Sequence, residues 1–441
     1  MHCHQHCRHT ARQIVCTCVF AMLLASPYQA AGQGADAVRM IVPDGEAQDY
    51  WPRWRGPSGQ GLVEGTGYPD TWSDTENIIW KVAVPGEGAS SPIIWADQIF
   101  LTTADDDVGT VSVLSFRRSD GKRLWQTNVP DPTGEFISEH IHQKNTHASA
   151  TVTTDGTLVY ASFGSKGLVA MDFDGRLVWH RSFGTISNYH GTAGSPLLYK
   201  NTIILYQDHS GGSQGGAFVA AFDKHSGEPV WRTSRRASVG WGSPIAIHTG
   251  ERDELIVSSQ RRVQAYNPNT GVELWHCGGN LFEVIPTPVV GHGMVFCSSG
   301  RAGPTLAILP GGSGDVTATH VVWKSPKGSP FVPSPLLSGN RLYLVNDMAS
   351  IVTCFDARRG ELLWQGRLGR ANREGFSASP VAVDGKVFFT NDLGETFVIR
   401  DASEFEILHV NELHAKTLAS PALVDGRWYF RTNRELLSIG N

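Results

Sequence analysis

The amino-acid sequence predicts an all-β fold: a closed eight-bladed β-propeller of four-stranded antiparallel blades, the last blade completed by an N-terminal strand. Three observations carry that expectation. A Ser-Pro-like step recurs at Ser91-Pro92, Ser195-Pro196, Ser243-Pro244, Thr287-Pro288, Ser334-Pro335, Ser379-Pro380 and Ser420-Pro421, with Ser149-Ala150 as a degenerate copy in the one gap. A tryptophan recurs at Trp80, Trp125, Trp179, Trp231, Trp275, Trp323 and Trp364, with His409 where the next is due. Successive members of either series lie roughly 41 to 58 residues apart, the spacing of propeller blades.

One repeat, residues 332–364, shows how each unit is built. Period-2 alternation gives four short strands, A to D: Pro333-Ser334-Pro335-Leu336-Leu337, then 341–345, 351–355 and 361–364. Ser338-Gly339-Asn340, Asn346-Asp347 and Gly360 supply the turns between them. A meander this small cannot bury both of its faces alone, so it must stack on copies of itself. The Ser-Pro and Trp series are out of phase, however. Trp80 precedes the first strand A, and after Ser420 the chain ends at strand C, residues 435–439. Residues 77–82 therefore supply strand D to the blade begun at Leu418, and the closed ring protects the edges that an open sheet would expose.

In chain order, residues 1–32 read as a secretory signal peptide. His and Arg populate the first twelve positions, 14–25 form a short apolar core, and Ala30-x-Gly32 offers small residues for cleavage. The core is too short for an ordinary transmembrane helix, and Cys16 and Cys18 lie inside it rather than after it, so no lipobox is evident. Four of the seven cysteines fall in this leader; Cys277, Cys297 and Cys354 remain and are expected as buried free thiols. Residues 33–76 form an N-terminal arm whose Trp51, Trp54 and Trp72 call for packing against the ring, and 77–441 form the propeller. Net charge is −5, with 18% charged residues, so no basic face announces nucleic acid.

The repeat has a dialect. Asp223-x-x-x-Gly227-x-x-x-Trp231, Asn267-x-x-x-Gly271-x-x-x-Trp275 and Asp356-x-x-x-Gly360-x-x-x-Trp364 share one turn and one docking tryptophan. This resembles the tryptophan-docking repeat of the pyrroloquinoline-quinone (PQQ) propellers of the WD40/quinoprotein-like superfamily. That group includes quinoprotein dehydrogenases and BamB, a non-enzymatic lipoprotein of the outer-membrane β-barrel assembly machinery. The opening Trp51-Pro52-Arg53-Trp54-Arg55-Gly56-Pro57-Ser58-Gly59-Gln60-Gly61 further resembles secreted PQQ-like propellers common in planctomycetes. The resemblance covers about 50–441 and implies the fold; activity is a separate matter, since a fold does not fix a function.

Topology sorts the connections onto two faces. The A-to-B and C-to-D turns, with Asp155-Gly156, Asp384-Gly385 and Asp425-Gly426, are turn chemistry. The other face carries the D-to-A and B-to-C connections, where residues just before strand A look down the axis: Ala89, His147, Ala193, Trp241, Ile285, Val332, Ser377 and Leu418. Longer loops there hold His140 and His142, His190, and Asp208 with His209. His147, His190, Asp208 and Trp241 are the candidate ligand-binding residues, expected around one concavity as a small polar site. The alternative is that they hydrogen-bond loop backbone. Imidazole and carboxylate suit a metal, but no tight metal motif occurs, so no metal is assigned.

The quinoprotein resemblance implies adjacent cysteines against the cofactor, a Glu/Asn/Asp set around Ca²⁺ and an Asp base. No two cysteines are adjacent here, no residue matches those positions one to one, and no Cys-x-x-Cys-His, Gly-x-Ser-x-Gly, Walker or His-Glu-x-x-His motif occurs. The leading expectation is an exported, non-catalytic, periplasmic or secreted propeller. It binds a protein partner or small polar ligand through its D-to-A/B-to-C face, broadly as BamB does, with no catalytic residue assigned. The alternatives are a periplasmic PQQ-dependent oxidoreductase with a reduced site and a glycan-binding module using Trp241 and the His-rich rim.

Overall fold

The computed structural model describes residues 37–131, 141–208, 216–236, 239–301, 303–326, 328, 330–370 and 375–441. The leader at 1–32, His140 and His209 lie outside the described residues. Eight sheets form a ring, each built on a four-stranded antiparallel meander. Blades 1 to 7 span residues 93–128, 153–181, 197–234, 245–278, 289–324, 336–367 and 381–412, and blade 8 spans 422–439. Two short 3-10 helices, Gly45–Gln48 and Gly164–Lys166, are the helical elements among the described residues. Among the described residues no helix is long and apolar enough to cross a membrane.

The burial of each strand follows its radial position. In blade 6 the middle strands Arg341–Asn346 and Ile351–Asp356 are buried over their central four residues, because a neighbouring blade covers each face. The outermost strand, Leu362–Arg367, is largely exposed around the buried Trp364. The core is accordingly a ring of seams between blades. Tyr160 and Ala170 of blade 2 pack with Ile203 and Phe218 of blade 3, and Tyr343 and Cys354 of blade 6 pack with Val387 and Phe397 of blade 7. Cys277, Cys297 and Cys354 are buried free thiols within such seams.

Closure comes from Ile78–Ala83, which pairs antiparallel with Glu435–Ile439 as the outer strand of blade 8, Ile78 opposite Ile439 and Val82 opposite Leu436. Two further devices hold neighbouring blades together. At the rim, each indole N–H donates to a carbonyl in the next blade: Trp80 to Arg118, Trp125 to Phe173, Trp179 to Lys224, Trp231 to Pro268, Trp323 to Ala357 and Trp364 to Ala402, at 2.8–3.1 Å. The turn glycine of that next blade has two reasons to be glycine. Gly227 has φ +70°, and a Cβ there would lie 2.6 Å from the Trp179 ring. At the axis, the backbone N–H at each Ser-Pro step donates to the equivalent hydroxyl of the following blade, as in Ser195 to Ser243 and Thr287 to Ser334. Seven such links measure 2.9–3.0 Å.

This hydroxyl ring corrects the repeat in blade 2, where Thr151 rather than Ser149 holds the position. Trp275 is also different. It is fully buried and donates to Glu254 Oε2 of its own blade at 2.8 Å, because Gly314–Asp315 adds a parallel strand outside it. His409 occupies the tryptophan register, opposite Val398, but its side chain is partly exposed beside Asp70.

The N-terminal segment runs inside the ring against the inner strands. Arg39–Met40 pairs with Ile247 and His248 of blade 4, Trp51 bridges Ile94 of blade 1, and the Pro52 carbonyl accepts from Thr154 of blade 2. Gln60 Oε1 accepts from the Val290 N–H of blade 5, and Leu62 bridges Ala382 of blade 7. Contacts with five blades spread around the axis make this segment a plug, which places its Trp54 at the floor of the opposite funnel.

Candidate functional site

The D-to-A and B-to-C connections open onto an axial funnel enclosing about 130 Å³. Each blade contributes the residue two before its ring hydroxyl. Seven of these are small or aliphatic (Ala89, Ser149, Ala193, Ile285, Val332, Ser377 and Leu418), and Trp241 is the one bulky wall. The Trp241 indole is fixed by an N–H···O bond to the Gly191 carbonyl at 2.8 Å. His190 lies beside it at 5.8 Å between ring centroids, and His142 meets His190 at 4.9 Å. Burial, then the neighbouring His190 and Lys144, hold the His142 imidazole below its usual range.

Residues 141–146, the end of the blade 1-to-2 connection, cross the funnel mouth as a strap. Asn145 Nδ2 donates to the His190 carbonyl at 2.6 Å on one side, and His142 lies edge-on to Phe331 at 6.2 Å. Lys144 reaches across the axis to the far side. Its Nζ is 3.0 Å from Asp392 Oδ2, 3.5 Å from Asp347 Oδ2, 3.0 Å from the Phe376 carbonyl and 3.3 Å from Ser377 Oγ. Both carboxylates sit at the B-to-C ends of blades 6 and 7. Burial pushes both above the usual carboxylate range, and Lys144 opposes that rise.

The four sequence-predicted residues do not share one concavity. His190 and Trp241 line the funnel; His147 and Asp208 do not. His147 lies two residues beyond the lining position, held by Ser149 once the blade 2 register is corrected, and its Nδ1 is 2.9 Å from Asp106 of blade 1. Asp208 is buried beneath the face, where Arg235 Nε donates to it at 2.9 Å. It has therefore no free charge to offer a ligand. Among the described residues, no group of three or more His, Cys, Asp or Glu is arranged to hold a metal ion. Trp241, almost wholly buried and edge-on to Tyr189 at 5.6 Å, is a wall of the cavity rather than an open platform for a sugar. Lys144, Phe331 and Trp54 were not legible as site residues. Each reaches the funnel from a loop or from the plug, outside the repeat register.

A family model described as outer membrane protein assembly factor BamB matches residues 71–211, 215–317 and 348–439, most of the ring. The chain belongs to that family. Among similar BamB proteins, that of Shewanella oneidensis is 22% identical over 314 residues, 67% of this chain and 72% of its own length. That of Burkholderia pseudomallei is 24% identical over 278 residues, 60% of this chain and 63% of the relative, so the chain spans less than two thirds of that protein. Among solved structures, BamB from Moraxella catarrhalis superposes with a TM-score of 0.60 at 16% identity, covering 82% of this chain and 97% of that one. The quinohemoprotein alcohol dehydrogenase of Comamonas testosteroni gives 0.63 at 12% identity, covering 93% and 84%. At these identities the structural likeness is one of fold.

The second of those neighbours raises the question of whether this BamB-family ring fits PQQ. A quinone that carries several carboxylates and pairs with a divalent cation needs free positive charge and free acidic ligands. Here the funnel's carboxylates already surround an ammonium, and Asp208 is spent on Arg235. The three cysteines are separate and buried. The donor set of the funnel does not fit PQQ with its cation.

Proposed function

We propose that this protein is an exported, non-catalytic propeller with a binding or scaffold role in the periplasm, of the kind that serves outer-membrane protein assembly. In this reading residues 1–32 are a cleaved leader, 33–76 an arm, and 77–441 the working ring. Membership of the BamB family carries the proposal. The chemistry of the funnel supports it: Lys144 occupies the two carboxylates, Asp347 and Asp392, that face it. The same face also exposes apolar side chains, Tyr189, Leu281 and Phe282 on D-to-A connections and Met348 and Leu393 on B-to-C loops, which suits a protein partner. In the source organism, deleting the gene and quantifying folded outer-membrane proteins tests this. The proposal expects their levels to fall and to be restored by the wild-type gene but not by a Phe282→Asp/Leu393→Asp variant. An unchanged outer-membrane profile would overturn it.

A further inference from the structure

A second cavity opens on the same face, off the axis, at the junction of blades 8 and 1, and encloses about 530 Å³. Its lining includes three cationic side chains, Lys416, Arg431 and Arg434. None of them makes an ion pair among the described residues. Arg431 is the unusual member. Its side chain is about 98% buried at the inner end of strand Arg427–Arg431, where Val345 and Thr390 occupy the same register in blades 6 and 7. The repeat therefore does not require an arginine there. Its Nη1 donates to Ser90 Oγ at 2.6 Å and to the Thr102 carbonyl at 2.7 Å, while its Nε has no partner among the described residues.

A guanidinium buried without a carboxylate is costly unless something anionic meets it. Burial alone already pushes its pKa down to about 9, still charged at neutral pH. The wall beside it is kept bare. A Cβ on Gly88 would fall 2.2 Å from Arg431 Nη2, so any side chain there would displace the guanidinium. Two carboxylates, Glu87 and Asp106, also line the cavity, so its three cations leave an excess of one positive charge. The geometry points to an oxyanion site between blades 8 and 1, in which a phosphate or carboxylate group meets Nη2 of Arg431, with Lys416 and Arg434 at its rim. A planar guanidinium with flanking cations matches such groups in shape and in charge.

The competing role for Arg431 is to tie blade 8 to blade 1, which its bonds through Nη1 to Ser90 and Thr102 already do. Titrating the full chain calorimetrically with inorganic phosphate and with acetate, against chloride at equal ionic strength, separates the two. Saturable binding of either oxyanion is expected, with affinity falling tenfold or more in a Lys416→Gln/Arg434→Gln variant, a loss of about 1.4 kcal/mol. That variant leaves the Arg431 tie intact and so controls for folding. A response to phosphate alone identifies a phosphate group as the ligand, and a response to both identifies oxyanions generally. No saturable heat with either at ~10 mM, or a response equal to that of chloride, would overturn the assignment. So would undiminished affinity in the double variant.

Discussion

Replacing Lys144 with methionine removes one charge from the middle of the funnel and leaves two buried carboxylates facing each other without it. Lys144 and Asp347 have side chains 6% and 0% exposed, so solvent cannot screen the loss. Removing one partner of a buried ion pair costs about 3–5 kcal/mol, most of it the penalty of the stranded charge. The penalty has a sign that can be checked. Burial raises Asp347 and Asp392 above the usual carboxylate range even with Lys144 present, and its removal raises them further. Between that raised pKa and the unfolded value near ~4, the native state binds more protons than the unfolded chain. The variant therefore regains stability as pH falls through that window, by up to about 1.4 kcal/mol per pH unit for each acid. Urea denaturation of wild type and Lys144→Met near pH 7.5 and about pH 5 measures this, with a gap that is large at the higher pH and narrows at the lower. Adding Asp392→Asn should recover part of the loss at the higher pH. A gap under about 1 kcal/mol near pH 7.5, or one that does not change with pH, would refute the strap as an electrostatic latch.

Three other outcomes follow from the ring. Chains beginning at residues 77 and 84 both lose the plug, so the difference between them reports the closing strand Ile78–Ala83: the one beginning at 84 also exposes the edge of Glu435–Ile439 and should self-associate more strongly in size-exclusion chromatography; matching profiles would deny closure. Trp275→Ala empties a fully buried site and strands Glu254 Oε2, so equilibrium unfolding should show a loss of about 3–5 kcal/mol; a loss under about 1 kcal/mol would contradict the packing. Burial opposes ionisation of Asp253, but hydrogen bonds from Tyr199, His248 and Lys200 more than offset it and bring its pKa down to about 2. Its contribution is complete above the unfolded value near ~4 and is lost as pH falls toward about 2, so Asp253→Asn should flatten the acid limb of the melting-temperature profile.

The blades were legible in the sequence because each must present the same few residues at the same places. A hydroxyl at the axis, a glycine at the turn and an indole at the rim are contacts made to the next copy, so they recur with the ring. Legibility ended where one copy deviated. Blade 2 offers Ser149 two residues ahead of Thr151, and choosing the serine moved His147 into a funnel position that Ser149 itself holds. Asp208 looked available because it opens a B-to-C loop, yet Arg235, in no recurring register, neutralises it. Lys144 joins blades 6 and 7 from a loop more than two hundred residues away, as the ion pairs with Asp347 and Asp392 show. Nothing in the local pattern around it announces that partner. Repetition reveals what blades owe one another, and the site is made of what departs from it.

The proposal that the funnel serves binding rather than redox chemistry has one direct test. Adding PQQ and Ca²⁺ to the purified protein, following the quinone absorbance by titration and assaying dye-linked alcohol oxidation in the same samples, tests it most directly. The account predicts no saturable spectral change and no turnover above a protein-free control. Stoichiometric uptake of PQQ accompanied by dye reduction would contradict it.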